Sequence, residues 1–428
     1  MAGVKISDLT NAPVLDGSEI IPVVKSGANL SILIRQLNNH YTLEQFGAVG
    51  DGVTDDTEAF QDCIDAMPDS TSFGAGGGIL MLAGKTYLIS STIVIQKSIK
   101  IIGAGADSGT RILLKAGSDC NMLEIGKRNS SDPISVTLDG IRIQGRRDQA
   151  DGFSNVVTYN YVRHCHFIDL FCVNATAPNF LMTTDAGQEP GRNNYFYGCA
   201  FEYGKVAALK ISHNYNLNIN SSYFGFGLPG QASYGLYVSQ GSTRFLLANS
   251  WFLTGNRNSN MYITGTNYGH IVNNHFNAAG GSEVLGSAHL YMGTVNDITV
   301  ANNILNNSLY PYNVFVGAGA ERVRLYNNKF GTSATQPFYF GNKANILCRG
   351  NIVGDKLQEN NGAATIANGD THVDVTHGIF TNPDNVVATP QGDEGVWVDT
   401  VGATTFRINR ALSVGDLVCN WMASVKTY

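Results

Sequence analysis

The sequence predicts an all-β chain whose body is a right-handed parallel β-helix, a single-stranded solenoid with coils of about 25 residues. Three observations predict it. A phrase of alternating apolar residues, a polar bend and a closing Phe or Ile recurs through the middle of the chain. An apolar triplet with an aromatic centre precedes many copies by 11–15 residues. Turn formers are abundant: there are 48 Gly, and Asn is doubled at Asn273-Asn274, Asn302-Asn303 and Asn327-Asn328, whereas only 14% of the 428 residues are charged. Such a mix disfavours helical bundles.

Residues 1–40 form a short leader. Ile6, Leu9, Ile20, Ile21, Val23 and Val24 are apolar without a regular period, which suits a segment that docks on something else. Residues 41–70 carry an opening loop and a helix. Thr54 or Asp55 is placed to cap it, with Glu58 three residues after Asp55. Ala59, Phe60, Cys63, Ile64 and Met67 share one apolar face, and Pro68 stops the helix. Short strands follow at Ile79–Leu82, Tyr87–Ile89, Thr92–Ile95 and Ile99–Ile102.

The repeat reads Asn218-Ile219-Asn220-Ser221-Ser222-Tyr223-Phe224, then Leu246 to Phe252, Ile271 to Phe276, Val300 to Ile304, Leu325 to Phe330 and Cys348 to Ile352, with weaker copies ending at Phe167 and Phe201. The closing positions 167, 201, 224, 252, 276, 304, 330 and 352 lie 22 to 34 residues apart. One coil of three short strands and three turns accounts for that spacing. Period-2 alternation excludes helical solenoids. Stacked coils are ~4.8 Å apart, so Phe224, Phe252, Phe276, Ile304, Phe330 and Ile352 are expected to stack inside. The Asn before each is expected to bond its neighbours above and below, as amide ladders do. Cys165 and Cys199 are expected to hold that place in the early coils, followed by Ser222 and Ser250, as structural residues.

The triplets are Leu236-Tyr237-Val238, Met261-Tyr262-Ile263, Leu290-Tyr291-Met292, Val314-Phe315-Val316 and Phe338-Tyr339-Phe340. Strand side chains alternate, so inward outer members put the middle ones outside. An exterior column of Tyr237, Tyr262, Tyr291, Phe315 and Tyr339 follows, with Lys210 before it. Residues 362–428 lose the period. Thr371–Val375, Val396–Val398 and Thr405–Ile408 alternate between Gly and Asp turns, which predicts a small antiparallel β-domain for trimerisation or glycan contact. The solenoid trunk thus spans 41–361. Its two open ends need covers, which the helix and the last domain can supply.

A net charge of −6 offers no basic patch, so no nucleic-acid partner is expected. Seven Cys without a CxxC pair read as buried thiols. The N-terminus has no apolar signal-peptide core. No run of 18 apolar residues spans a membrane.

The run Phe46-Gly47-Ala48-Val49-Gly50-Asp51-Gly52, continuing to Gln61, resembles the opening motif of the pectate-lyase-like β-helix superfamily. Gly84–Ile89 and Ile101-Ile102-Gly103-Ala104-Gly105 resemble its next two phrases, so the resemblance covers about 41–355. The leader from Lys5-Ile6-Ser7-Asp8-Leu9 to Ile21–Val24 is similar to the start of phage tail fibres and tailspikes. Thr371–Gly378 is similar to a C-terminal module of such proteins. The resemblance implies a homotrimer on the virion tail, attached through the leader to a tail or baseplate protein. It also implies binding, and often cleavage, of a host surface polysaccharide, either capsule or lipopolysaccharide. The superfamily's Asp-rich lyase and galacturonase motifs are not matched, so no catalytic residue carries over. A non-enzymatic receptor-binding fibre and a secreted bacterial polysaccharide lyase stay open as alternatives.

Glycoside hydrolysis, the favoured depolymerase chemistry, needs two carboxyl groups on one face. Between Glu202 and Glu283 there is no Asp or Glu. Asp169 and Glu202 follow successive closing Phe residues, Asp185 and Glu189 sit in the longest inter-coil interval, and Glu283 lies in a Gly-rich loop. Each reads equally as a solvated turn residue. A lyase would draw on Lys210, Arg244, Arg257 or His213. The aromatic column suits stacking on sugar, a subunit interface, or inter-coil stacking alone, and insertions 178–194 and 278–288 would wall it. Gly103-Ala104-Gly105 precedes a strand, not the helix of a dinucleotide site. Asp51, Asp55 and Asp56 lack calcium-loop spacing. His164 and Cys165 point opposite ways on a strand. No cofactor and no metal are expected.

Overall fold

The structure is a computed structural model. It describes residues 20–25, 28–33, 40–68, 77–126, 133–147, 152–184, 188–225, 234–239, 241–253, 259–277, 288–306, 310–331, 336–341, 346–353, 356–357, 359–379, 383–392, 395–411 and 415–424. Of 20–25, 28–33, 336–337, 356–357 and 359 it describes the backbone. The chain divides into two compact units, residues 1–202 and 203–428.

In the first unit, Ile20–Lys25 and Ala28–Leu33 form an antiparallel hairpin. The helix runs over Thr57–Ala66 and buries Phe60, Cys63 and Ile64. Its cap differs from the expected one. Asp56 is the N-cap, and its buried carboxylate turns back to accept from the N–H groups of Val49 (2.7 Å) and Gly50 (3.2 Å). The acid therefore ties the opening loop to the helix start. Asp55 accepts from the Thr57 N–H at 3.2 Å instead.

The helix covers the outermost strand Ile93–Ile95. The Gln61 amide donates to Val94 O (3.1 Å) and accepts from Val94 N (2.9 Å), which satisfies an edge as a neighbouring strand would. Lys97 Nζ donates to Asp65 O at 2.6 Å and Met67 O at 2.9 Å, placing a cation on the orphan carbonyls of the helix end. Behind that strand, Leu123–Ile125, Val156–Tyr159 and Phe180–Thr183 pair in parallel. A second row stacks Lys100–Ile102, Thr137–Gln144, His166–Val173 and Gly191–Tyr197.

The early register differs from the expected one. Phe167 pairs with Phe196, and Cys172 pairs with Phe201. Cys165 lies at another corner, where its N–H donates to Asn194 Oδ1 at 3.0 Å. Cys199 does hold the expected corner: it follows left-handed Gly198, and its Sγ contacts Tyr197 O as the Ser222 and Ser250 hydroxyls contact Asn220 O and Ala248 O. The 178–194 segment is likewise no single insertion, because Phe180–Thr183 is a coil strand.

In the second unit, each coil has three strands. The first register runs Ala207–Ser212, Tyr234–Ser239, Ser259–Ile263, Ala288–Met292, Tyr312–Val316 and Gln336–Phe340, all parallel. The others follow the same parallel order, as Thr243–Ala248 on Thr266–Val272 and Trp251–Leu253 on His275–Asn277 illustrate. Phe224, Phe252 and Phe276 stack inside, with ring centroids 4.6 and 4.5 Å apart. Phe330 is buried with them.

Ile304 and Ile352 are corrections. Ile304 is 39% exposed and pairs with His275 and Lys329, while fully buried Leu305 pairs with Phe276 and Phe330. Ile352 pairs with Lys329, and Val353 follows Phe330. The phrase is anchored by the inward Asn, and these copies carry one residue more before the apolar anchor than their closing Ile suggests. A single-residue slip reverses the face. The amides do form the expected ladder. Asn274, Asn303 and Asn328 each donate through Nδ2 to the Oδ1 of the next Asn at 3.0 Å, ending on Asn351.

From Glu359 the chain forms two three-stranded antiparallel sheets. Glu359–Ile366, Leu417–Ser424 and Asn385–Pro390 make one; His372–Thr376, Thr405–Arg410 and Val396–Asp399 make the other. Ile366, Phe406, Ile408, Cys419 and Trp421 fill their common core. Arg410, 2% exposed, donates to the carbonyls of Asp370, Gly415 and Ala367 at 2.8–2.9 Å. These three bonds satisfy a buried cation.

Candidate functional site

Four parallel strands of the first unit present one outward face. Ile101, Leu138, Phe167 and Phe196 point inward, so their neighbours must point out. One outward row is Lys100, Thr137, His166 and Tyr195; the next is Ile102, Asp139, Ile168 and Tyr197. His166 stacks on Tyr195 at 4.9 Å, and Tyr197 is 58% exposed. Burial, then His164 and Lys100, draw the His166 imidazole below its usual range.

Asp169 stands at the corner where these strands bend. Its φ of 44° is left-handed, a conformation that Gly140 (65°) and Gly198 (63°) adopt at the same corner of adjacent coils. Asp, like the Asn residues at this corner of later coils, tolerates the left-handed conformation, so an acid can stand where the adjacent coils carry glycine. Asp169 Oδ2 accepts from the Ala106 N–H at 3.1 Å. The glycines before Ala106 permit that approach. Gly103 N donates to Asp139 O (2.8 Å) and Gly105 N to Gly140 O (3.0 Å). A Cβ at Gly103 would lie 2.3 Å from Gly140 O. Burial, and next the charge of Asp169, raise the Asp139 carboxyl above the usual range. One coil thus carries an acid biased toward its protonated form, and the next coil carries the carboxylate that biases it.

The sequence candidates distribute differently. Asp169 does not pair with Glu202. Glu202 lies opposite Val173, four residues beyond Asp169 in strand register. Burial raises the Glu202 carboxyl against the opposing pull of Arg142. Glu189 is committed to an ion pair with Arg192 at 2.7 Å. Arg192 and Arg163 lie 5.6 and 4.4 Å from the Tyr161 ring. Asp185, Arg257 and Glu283 lie outside the described residues. Asp139 was not among the candidates. Its signal was present: it alternates with Leu138 on a strand and precedes Asp169 by 30 residues, about one coil.

The exterior column of the second unit is as the alternation requires. Tyr237, Tyr262, Tyr291, Phe315 and Tyr339 are in register, with centroids 4.9, 4.6, 4.6 and 4.5 Å apart and planes within 8°. Lys210 Nζ lies 5.3 Å from the Tyr237 centroid. The ring faces therefore cover one another, and the strip offers edges and hydroxyls outward. Tyr234 and Tyr312 pack against the rows from the side, 5.2 Å from Tyr237 and 5.7 Å from Phe315. Burial pushes the Tyr262 hydroxyl up to about 12, so it stays protonated.

Against known proteins, the family described as "Rhamnogalacturonase A/epimerase, pectate lyase-like" matches residues 42–310. The chain belongs to this pectate-lyase-like family. Mannuronan C5-epimerase AlgE2 of Azotobacter vinelandii is 28% identical over 235 residues, 47% of this chain and 23% of that protein. Depolymerase 1, capsule KN3-specific, of Klebsiella phage KN3-1 is 38% identical over 92 residues, 22% of this chain and 11% of that protein. The chain thus spans less than a quarter of these two curated relatives. Among solved structures, ORF18 of Geobacillus virus E2 superposes with a TM-score of 0.56 at 16% identity, covering 94% of this chain and 84% of that one. That likeness concerns the fold.

Proposed function

We propose that the chain is a bacteriophage tailspike that binds a bacterial capsule or lipopolysaccharide and cleaves it on the outward face of residues 1–202. The observation that carries this reading is the carboxyl couple, with Asp139 raised by burial and by Asp169 on the next coil. Hydrolysis of a glycosidic bond uses one carboxylic acid and one carboxylate on the same face. Asp139 is assigned the proton donor for the leaving oxygen. Asp169, held by the Ala106 N–H, is assigned the ionised partner. Tyr195 and Tyr197, 37% and 58% exposed, supply aromatic surface for sugar C–H faces. The capsule depolymerase relative and the tailspike-like leader support the assignment to a phage tail.

In this reading the protein is a homotrimer on the virion tail, with residues 1–40 on a tail or baseplate protein. Its mass in solution tests the assembly: a light-scattering value of 45.9 kDa, that of one chain, overturns the trimer. A second reading is proton abstraction, as in a lyase or epimerase. It is favoured by His166, held toward its neutral, basic form on the outward row next to that of Asp139, and by the relatives named epimerases and alginate lyase.

The deciding experiment incubates the protein with purified capsules and lipopolysaccharides and analyses the released oligosaccharides. New reducing ends with saturated sugars support hydrolysis, and unsaturated ends support the lyase. Asp139→Asn should lower the rate roughly 10²–10⁴-fold with binding retained. Undiminished cleavage by Asp139→Asn removes the couple from the mechanism.

A further inference from the structure

An open cleft of about 350 Å³ lies in the first unit, lined by Gly50, Lys85, Ala106, Ser108, Arg111 and Arg142 among others. Its chemistry is set by two guanidinium groups. Arg111 and Arg142 are Cα partners on adjacent parallel strands, both outward, so two like charges stand one coil apart. Such a pair is unfavourable unless something answers it. Among the described residues no acid makes contact to do so. Among the described residues neither arginine makes an ion pair, and the Nε of each is buried without a hydrogen-bond partner.

The other charges of the cleft are largely committed elsewhere. Lys85 is paired with Glu44 at 3.0 Å. Asp51 accepts from the N–H groups of Val53 (2.8 Å) and Thr54 (2.7 Å) and from Thr54 Oγ1 (2.9 Å). Asp107 lines the cleft, and it and Glu202 act on Arg142 from beyond ion-pair distance. Arg142 cannot swing away at no cost, because its guanidinium lies 4.6 Å over the Phe171 ring. Burial, and next the charge of Arg111, draw it below its usual range.

We infer that the Arg111–Arg142 cleft is a binding site for an oxyanion, a phosphate or carboxylate that the two planar forks grip together. Guanidinium groups match such oxygens in bidentate fashion, and an anion between them converts repulsion into attraction. Ala106 lines this cleft and donates to Asp169, so the site adjoins the carboxyl couple. On the reading proposed above, the oxyanion is a substituent of an acidic polysaccharide. The binding of the oxyanion itself does not depend on that reading.

The test is calorimetric titration of the full chain with inorganic phosphate, glucose 6-phosphate, glucuronate and glucose at constant ionic strength. Saturable binding of at least one oxyanion, absent for glucose and weakened tenfold or more in both Arg111→Gln and Arg142→Gln, is expected. Arg322→Gln, at an ion pair with Asp297 elsewhere, should bind as the wild type does. Preference for the sugar-borne anions points to a glycan substituent; preference for inorganic phosphate makes the free ion the ligand. If an arginine variant misfolds, the wild type alone still decides, since a bound oxyanion raises its melting temperature over chloride at equal ionic strength. No saturable binding, no such rise, or binding unchanged in either arginine variant overturns the site. Cleavage of a neutral polysaccharide with normal anion binding would separate this site from the hydrolytic reading.

Discussion

The side chain of Asn274 donates to Oδ1 of Asn303 at 3.0 Å, and the Asn274 N–H reaches that same oxygen at 2.8 Å. Asn303 then donates to the carbonyls of Ile271 and Ala301 at 2.8 and 3.0 Å and to Asn328. One buried amide therefore completes the hydrogen bonds of two neighbouring coils. Asn303→Ala leaves the Asn274 N–H and two carbonyls without these partners and should cost about 2–4 kcal/mol. The control is Asn302, exposed at the left-handed corner with φ 56°. Asn302→Gly should stay within ~0.5 kcal/mol. Denaturant unfolding of both variants checks the contrast, and equal effects would mean the ladder contributes nothing beyond the corner.

The interior column supplies a second contrast. Phe276 is fully buried between Phe252 and Leu305, whereas Ile304 is 39% exposed. Phe276→Ala should cost about 3–5 kcal/mol and Leu305→Ala about 2–5 kcal/mol through lost packing and an unfilled cavity. Ile304→Thr should stay within ~0.5 kcal/mol. A large loss at Ile304 would restore it to the core.

These residues also mark how far the sequence reaches. Inward and outward assignment of the triplets around Tyr237 to Phe315 was legible because strand alternation leaves one choice once Leu236 and Val238 are inside. At Ile304-Leu305 both candidates are apolar, so alternation is silent, and the Asn303 bond, a long-range contact, decides. Helix capping failed for a similar reason. Asp55 and Asp56 both suit a cap, and only the fold shows that Asp56 serves the Val49 and Gly50 amides. At the site, Asp169 was legible as a polar residue after a closing Phe. Its partner Asp139 left a signal one coil back, but with coils of 22 to 34 residues that spacing does not single it out, and only strand pairing does.

His289 is fully buried with Nδ1 2.8 Å from the Asn260 amide, which donates to it. Burial draws its imidazole from 6.5 down to about 3. In the unfolded chain it titrates near its ordinary value, so between those limits the unfolded state binds the extra proton. The contribution is therefore complete above pH ~6.5 and is lost at about 1.4 kcal/mol per pH unit as pH falls toward the folded value. His289→Gln keeps an acceptor and removes the titration. Between pH 7 and pH 5 the wild type should lose about 2 kcal/mol more than this variant. Parallel stability curves would place His289 in contact with water.

The aromatic ladder separates packing from recognition. Tyr262 stacks on Tyr237 and Tyr291, so Tyr262→Ala removes two ring contacts and should cost about 1–3 kcal/mol beyond the area it uncovers. Tyr262→Phe keeps the stack and deletes only the hydroxyl. If the strip binds glycan through its outward edge, Tyr262→Phe weakens that binding with stability and assembly intact. If the strip is a subunit interface, Tyr262→Ala and Tyr291→Ala dissociate the oligomer. Loss of stability alone, with binding and assembly unchanged, leaves the ladder a packing device between coils.

The carboxyl couple makes the sharpest prediction, because its two members affect each other through charge. Cleavage that needs Asp139 protonated falls as pH rises through the Asp139 titration. Burial sets that titration above the ordinary carboxyl range, and the Asp169 charge lifts it further. Asp169→Asn removes that charge and keeps the size, and an amide oxygen can still accept from the Ala106 N–H. The alkaline limb of the kcat profile should therefore move to lower pH in Asp169→Asn. The rate should also fall, roughly 10²-fold or more, because the ionised partner is gone. Asp139→Asn should remove the limb altogether rather than move it. The order of these effects discriminates between roles. A limb that stays in place in Asp169→Asn means another acid donates the proton, and Glu202, raised by burial on the same unit, is the residue to substitute next.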